Sequence, residues 1–277
     1  MTDSSTAAGA PKAPGPGTGT GTAPTIVILN VNSTASMTDS MVAASLQVAQ
    51  VAGVAGGGVD VVGLTPDGAP ASVESHSDAV ASASAMLAAL AEYDGPVDAV
   101  VLAGVGDGGV EALRETMPCP VVDVTEAAAA TAMSVGDSFS FVTTVPRAIG
   151  MIRDRLRVAG LDAKLASVRA SGVGVLDLHG DGVMETLAAD AVAAVDADGA
   201  EVICLGCCGM AGMSDELARI TGVPVVDPVR AGVAVAAGLI GQGLTTSRVR
   251  HYAPPPLRHS TAAAEPGTSP ARESVAS

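Results

Sequence analysis

Residues 201–212 read "EVICLGCCGMAG", and residues 98–109 read "DAVVLAGVGDGG". Laid over each other, Asp98 meets Glu201, Leu102 meets Leu205, Gly106 meets Gly209 and Gly109 meets Gly212. Both stretches then run through a short helical segment into "PVVD", at 120–123 and again at 224–227, the second copy needing one extra residue. Any two strand–turn–helix units look alike in a chain so rich in Ala, Gly and Val, but the repeated "PVVD" favours duplication of a larger unit. Each copy is an apolar run entering a glycine-rich turn, as expected of a buried parallel strand that feeds a helix. In this register Cys207 lies opposite Gly104.

Working outward, the pattern keeps alternating. Strand-like runs fall at 25–31, 59–64, 97–103, 120–124, 139–144, 164–170, 201–206 and 224–228. Helix-like segments include 37–51, 77–91, 147–159, 183–195 and 215–221. Strands alternating with helices predict an α/β fold with parallel sheets covered on both faces. The duplication predicts two similar Rossmann-like lobes facing each other across a cleft. The expected division is 24–122 plus 226–250 for the first lobe and 123–225 for the second. Residues 1–23 and 253–277 are rich in Ala, Pro, Gly, Ser and Thr and read as disordered tails.

Composition removes several function classes. The 277 residues carry a formal charge of −15, which repels nucleic acid and anionic membrane. No run reaches membrane-spanning length without a charge or a turn residue. The N-terminal stretch has no basic segment followed by an apolar one, so it does not read as a secretory signal. A cytoplasmic location is the expectation. Trp is absent and the aromatics are Tyr93, Phe139, Phe141 and Tyr252, so the core must be built from Val, Leu, Ile, Ala and Met.

Four cysteines, at 119, 204, 207 and 208, do not make a disulfide framework for a chain of this length. Cys204 and Cys207 have the spacing of a redox or zinc pair, but no second pair or nearby His completes a metal set, and no metal is expected. The histidines, at 76, 179, 251 and 259, also lack ligand spacing. Neither a Walker loop nor a dinucleotide-binding glycine motif comes after a strand.

Ligands in such sheets collect beyond the carboxyl ends of the strands, and Cys207 sits at one such end. Backbone N–H groups and a following helix start favour the thiolate there, as a nucleophile or a proton-transfer base. Cys204, inside the strand, and Cys119, between two prolines, read as structural. Cys208 fills space beside Cys207. "ILNVNSTASMTDSM" at 28–41 is a strand, a polar turn and a helix. Asn32, Ser33 and Thr34 place donors at the strand end and Ser36 is a candidate cap. "FVTTVPRAIG" at 141–150 repeats the arrangement with Thr143 and Thr144. His76 is a candidate to line the cleft, and surface placement is its alternative.

These motifs, in order from about Thr25 to Arg248, resemble the aspartate/glutamate/hydantoin racemase superfamily, most closely its hydantoin and allantoin racemase branch. The segments that carry the resemblance are "ILNVNSTASMT", "GAPASVESHSDAV", "FVTTVPRAIGMIRDRL", "SVRASGVGVLDL", "LGCCGMAG" and "GVPVVDPVRAGVAVA". The resemblance implies two lobes related by a pseudo-twofold axis, no cofactor, a small-molecule substrate and a homo-oligomer. It also implies a cysteine from each lobe flanking a carbon acid, one removing a proton and the other returning it. The second cysteine carries over to Cys207. The first does not, because the family pattern there is close to Leu-Ala-Cys and this chain has Gly104. Asp107 is the nearest candidate substitute.

Arylmalonate decarboxylases of the same superfamily also keep only the second cysteine, with glycine at the first position. One-sided proton transfer, as in a decarboxylase or another lyase or isomerase, is therefore the alternative to racemisation. A catalytically silent binding protein is a third reading. On the leading one, Cys207 is the acid/base. Asn32, Ser33, Thr144 and the backbone around Cys208 and Gly209 hold the substrate oxygens and stabilise the enolate.

Overall fold

In the computed structural model, which describes residues 23–51, 58–106 and 108–256, the alternation is realised strand by strand. The first half runs β1 (Thr25–Asn30), α1 (Ala35–Val51), β2 (Asp60–Leu64), α2 (His76–Glu92), β3 (Ala99–Ala103), α3 (Val110–Thr116), β4 (Val121–Asp123) and α4 (Val124–Met133). The second runs β5 (Phe139–Thr143), α5 (Ala148–Ala159), β6 (Leu165–Ala170), α6 (Val183–Asp196), β7 (Val202–Leu205), α7 (Ser214–Thr221), β8 (Val225–Val226) and α8 (Pro228–Gly241). Residues 1–22 and 257–277, which hold nearly all of both expected tails, and Asp107 lie outside the described residues.

The strands form two parallel four-stranded sheets, ordered β2-β1-β3-β4 and β6-β5-β7-β8. The second order is the first with four added to each label, so the halves are topological copies. The repeat seen in the sequence places β3 on β7 and β4 on β8. Of its two glycine pairs, Gly109 and Gly212 agree in conformation, both with left-handed φ at 108° and 86°, whereas Gly106 takes positive φ and Gly209 does not. Both "PVVD" aspartates cap the next helix, Asp123 through Thr125 and Glu126 N–H, and Asp227 through Val229 and Arg230 N–H.

Central strands β1, β3, β5 and β7 are buried along their whole length, as a sheet covered on both faces requires. Ile26, Ile28, Val101, Phe139 and Phe141 are fully buried, and the two phenylalanine rings meet edge to face at 6.0 Å. Each such side chain contributes roughly 1.5–3 kcal/mol relative to exposure.

The last helix of each half crosses over. Helix α8 comes after β8 of the second sheet yet packs on β3 and α1 of the first half. Its Gly232 lies so close to Val101 that an added Cβ would fall 2.8 Å from a valine methyl carbon. Helix α4 comes after β4 of the first sheet and packs on α5 and β7 of the second half, where Cys204 Sγ meets Ala128 O at 3.7 Å. The two crossing helices also pack on each other. Five of the ten residues of α4 are alanine, which lets it sit between two layers at short range. Among the described residues no helix is long and apolar enough to cross a membrane.

Candidate functional site

The carboxyl ends of β1, β3, β5 and β7 converge on one cleft. Cys207 and Gly104 both line it, each just past the end of its strand. Asn30, Asn32, Thr143, Thr144, Cys208 and Gly209 contribute further wall, and Met37, Met41, Val73, Val105, Ala148 and Val175 make it apolar. The cleft is partly open, with a cavity volume of about 40 Å³. Apart from the two thiols, no lining side chain among the described residues is ionisable.

The turn that carries Cys207 is fixed at both ends. Before it, Gly206 N–H donates to Val142 O at 2.7 Å, and Thr143 Oγ1 donates to Gly206 O at 2.7 Å. After it, Cys208–Met210 form a short 3-10 helix, and Gly212 N–H donates to Asp227 Oδ2 at 3.2 Å. Cys207 is partly exposed, whereas Cys119, Cys204 and Cys208 are buried. A Cβ at Gly209 would lie 2.7 Å from Leu178 Cδ1, which would have to shift, and in ordinary contact with Cys207 Sγ at 3.5 Å. Burial pushes the Cys119 thiol up to about 11 and raises the Cys204 thiol well above the ordinary range, so neither is poised to ionise.

The opposite wall is set by a polar network at the end of β1. Asn30 Nδ2 donates to Thr38 Oγ1 at 2.9 Å and to Asn32 Oδ1 at 3.1 Å, while Asn30 Oδ1 accepts from Asn32 N–H at 3.1 Å. Asn32 Oδ1 also accepts from Thr34 N–H at 2.9 Å, and its amide nitrogen donates to Met37 Sδ at 3.5 Å. Helix α1 starts one residue before Ser36. The cap expected of Ser36 is not made; the first turn is closed by Thr34 O, which accepts from Met37 N–H at 3.0 Å.

The structure thus brings Cys207, Gly104, Asn32, Thr143, Thr144, Cys208 and Gly209 together. It does not bring Ser33 or His76. Ser33 is exposed in the bend after β1, its N–H donating to Pro70 O at 2.9 Å. His76 is exposed in the first turn of α2. The hydroxyl of Thr143 is engaged by Gly206 O. Asp107 lies outside the described residues, so its place as a substitute base has no structural account. Sequence reasoning missed Asn30, Met37, Met41, Val73 and Val175. Only Asn30 carried a signal, sharing a face with Asn32 two positions on.

Behind the Gly104 loop, charges from both lobes meet. Arg155 on α5 pairs with Glu111 at the start of α3 at 2.6 Å and with Glu126 on α4. Arg114 pairs with Glu126 at 2.7 Å and lies 5.7 Å from the centre of the Tyr252 ring. Gly106 N–H donates to Thr125 Oγ1 at 2.9 Å, and its α-carbon abuts the backbone of Ile152 so closely that a Cβ would fall 2.9 Å from Ile152 N. The loop is therefore docked on the other lobe. Asp123, fully buried in this network, is pushed up to about 6, first by desolvation and then by the neighbouring Glu126, against the pull of Arg155.

Comparison with known proteins agrees with this architecture. The family model described as Asp/Glu/Hydantoin racemase matches residues 26–236. A hydantoin racemase of Paenarthrobacter aurescens is 37% identical over 234 residues, which is 83% of this chain and 97% of that protein. The crystal structure of an allantoin racemase from Pseudomonas fluorescens superposes with a TM-score of 0.81 at 46% identity, covering 85% of this chain and 98% of the other. An allantoin racemase from Klebsiella pneumoniae gives a TM-score of 0.79 at 33% identity over 85% of this chain and 95% of the other.

Proposed function

Because the chain belongs to the Asp/Glu/hydantoin racemase family, we propose that it transfers a proton at a carbon acid beside a carbonyl, on a neutral ring ureide of the hydantoin or allantoin kind, with Cys207 as acid and base. The observation that carries this reading is the cleft itself: one partly exposed thiol stands at a strand end, among described lining side chains that are otherwise uncharged. A free amino acid would bring an ammonium and a carboxylate into a wall with no counter-charge, and burying an unpaired ion costs several kcal/mol or more. A neutral imide ring needs only hydrogen bonds.

In this reading the Cys207 thiolate removes the proton from the ring carbon, and charge develops on the adjacent carbonyl oxygen. The Asn32 amide, the Thr144 hydroxyl and the backbone at Cys208 and Gly209 receive that charge, the role of an oxyanion hole. The thiol then gives its proton back. The lobes are taken as 24–122 with 226–250, and 123–225, a division supported by the crossing of α4 and α8.

Gly104 supports a second reading. With no thiol on its side, a proton returned by Cys207 reaches the face it left, and inversion needs another donor. The decarboxylase alternative places a leaving carboxylate there; the uncharged wall speaks against it. The deciding experiment offers single enantiomers of 5-substituted hydantoins and allantoin in deuterated water, followed by NMR and chiral chromatography. Exchange with inversion supports racemisation, and exchange without inversion supports one-base transfer at Cys207. Loss of carbon dioxide from a malonate without hydantoin exchange would replace the proposal with the decarboxylase. Binding with no reaction of either kind would leave a silent binding protein.

A further inference from the structure

Two loops cover the cleft, and they occupy equivalent places in the two halves. The first, residues 65–75, leads from β2 to α2; the second, residues 171–182, leads from β6 to α6 and contains a short 3-10 helix at Val175–Asp177. Val73 from the first and Val175 from the second both line the cleft. Between them, Glu74 Oε1 accepts from Val175 N–H at 3.0 Å, a bond across 101 positions of chain and from one lobe to the other. The base of this bridge is fixed. Glu74 N–H donates to Asp78 Oδ2 at 3.2 Å, and Asp78 N–H donates to Ser75 Oγ at 3.2 Å, where Ser75 caps α2. The bridge therefore joins the two loops whose valines line the cleft.

We propose that Glu74 is a positioning residue whose carboxylate straps the two mouth loops together, and that this strap opens to admit substrate and closes over it. The proposal rests on the reading of the cleft as the substrate site. A hydrogen bond to a charged acceptor suits such a strap. It is strong enough to hold two short loops, yet its opening exposes only a carboxylate and one N–H that water readily serves. The closed strap holds Val73 and Val175 over bound substrate, while the chemistry stays with Cys207.

The test pairs Glu74→Ala, which removes the acceptor, with Glu74→Gln, whose amide oxygen can still accept. Hydrogen–deuterium exchange of the 171–178 segment, read on the substrate-free protein, is expected to quicken about tenfold in Glu74→Ala and to stay within about twofold of wild type in Glu74→Gln. Unchanged exchange in Glu74→Ala overturns the strap, whatever the enzyme turns over, so this arm is independent of the proposed reaction. With a hydantoin or allantoin as substrate, Glu74→Ala is expected to raise KM about tenfold with kcat within about threefold. A fall in kcat at constant KM would instead place Glu74 in the chemistry and overturn the proposal. Should Glu74→Ala melt far below wild type, Val175→Pro removes the same bond from the donor side, at the first residue of a short helix where proline is tolerated. That variant must show the same rise in KM; a wild-type KM overturns the strap.

Discussion

Asp123 and Asp227 hold equivalent places in the two halves, but only Asp227 has both carboxylate oxygens hydrogen-bonded. In each, Oδ1 caps a helix. Asp227 Oδ2 accepts from Gly212 and so ties down the turn that carries Cys207. Asp123 Oδ2 is buried with no hydrogen-bond partner and faces Arg155 Nε, likewise unbonded, at 3.7 Å. The turn that carries Cys207 is thus tied to the aspartate of its own half, whereas the aspartate of the first half faces an arginine on α5 of the second.

Asp227→Asn keeps the capping oxygen but turns the acceptor for Gly212 into an amide, with two N–H groups facing each other. Activity is expected to fall at least tenfold while the protein stays folded, with a loss of about 1–2 kcal/mol in urea unfolding. Near wild-type kcat/KM in this variant would show that the tether does not position Cys207.

Cys207→Ala is expected to abolish turnover and leave the melting temperature nearly unchanged, because the thiol stands partly exposed at the cleft. Cys204→Ala is expected to do the reverse, costing about 1–3 kcal/mol of stability with kcat retained. Its sulfur is fully buried between β7 and α4. Measuring both variants by thermal melts and by exchange kinetics checks the contrast; substantial activity in Cys207→Ala would remove it from the mechanism.

Gly104→Cys places a thiol on the wall opposite Cys207. Inversion at the substrate carbon is expected to rise by about 10²-fold or more over wild type, the scale of one general base. Chiral chromatography under reducing conditions is the measurement, since the new thiol must be kept from bonding Cys207. Equal inversion by wild type would show that another group already serves that face, and Asp107 is the first to replace.

The Asp123 carboxyl, held near 6, sets a pH dependence whose sign can be worked out. Its proton is bound more tightly in the folded state than in the unfolded chain, where the ordinary value is about 3.9. Between those values the folded state carries more protons, so stability rises as pH falls from 7 to 5, by about 1 kcal/mol. Glu111 and Glu126 are both lowered and titrate below this window. Urea unfolding at pH 7 and pH 5 is expected to show the gain in wild type and not in Asp123→Asn. A stability that does not change in wild type would mean that Arg155 keeps the carboxylate charged.

The fold was legible because duplication left two copies of the same signal. Strand and helix limits read from the sequence lie within about two residues of those observed, and the "PVVD" pair marked both crossover points. The helix after each "PVVD" was not legible. The segment "VTEAAAATAM" has no apolar stripe to betray α4, because a helix covered on most sides by two layers has no polar face to leave a period. In the site, Cys207 and Gly104 were readable as strand-end residues in register. Val73, Glu74 and Val175 were not, since their meeting depends on loops from different lobes and no local spacing records it. Ser33 and His76 sat within the right motifs, but which way a loop residue points is decided by its neighbours' hydrogen bonds.

The exchange of α4 and α8 between sheets bears on how the molecule comes apart. Cut after residue 134, the first half would keep α4 with its alanine face uncovered and would lose the helix that lies on β3. Neither piece would have a closed core, so the two lobes are expected to unfold in one transition despite their duplicated topology. The same exchange makes a single half self-complementary in outline: the stray helix of one copy fits the bare sheet of another, as in a domain-swapped dimer. The chain has the geometry of such a dimer whose two subunits are joined in one polypeptide.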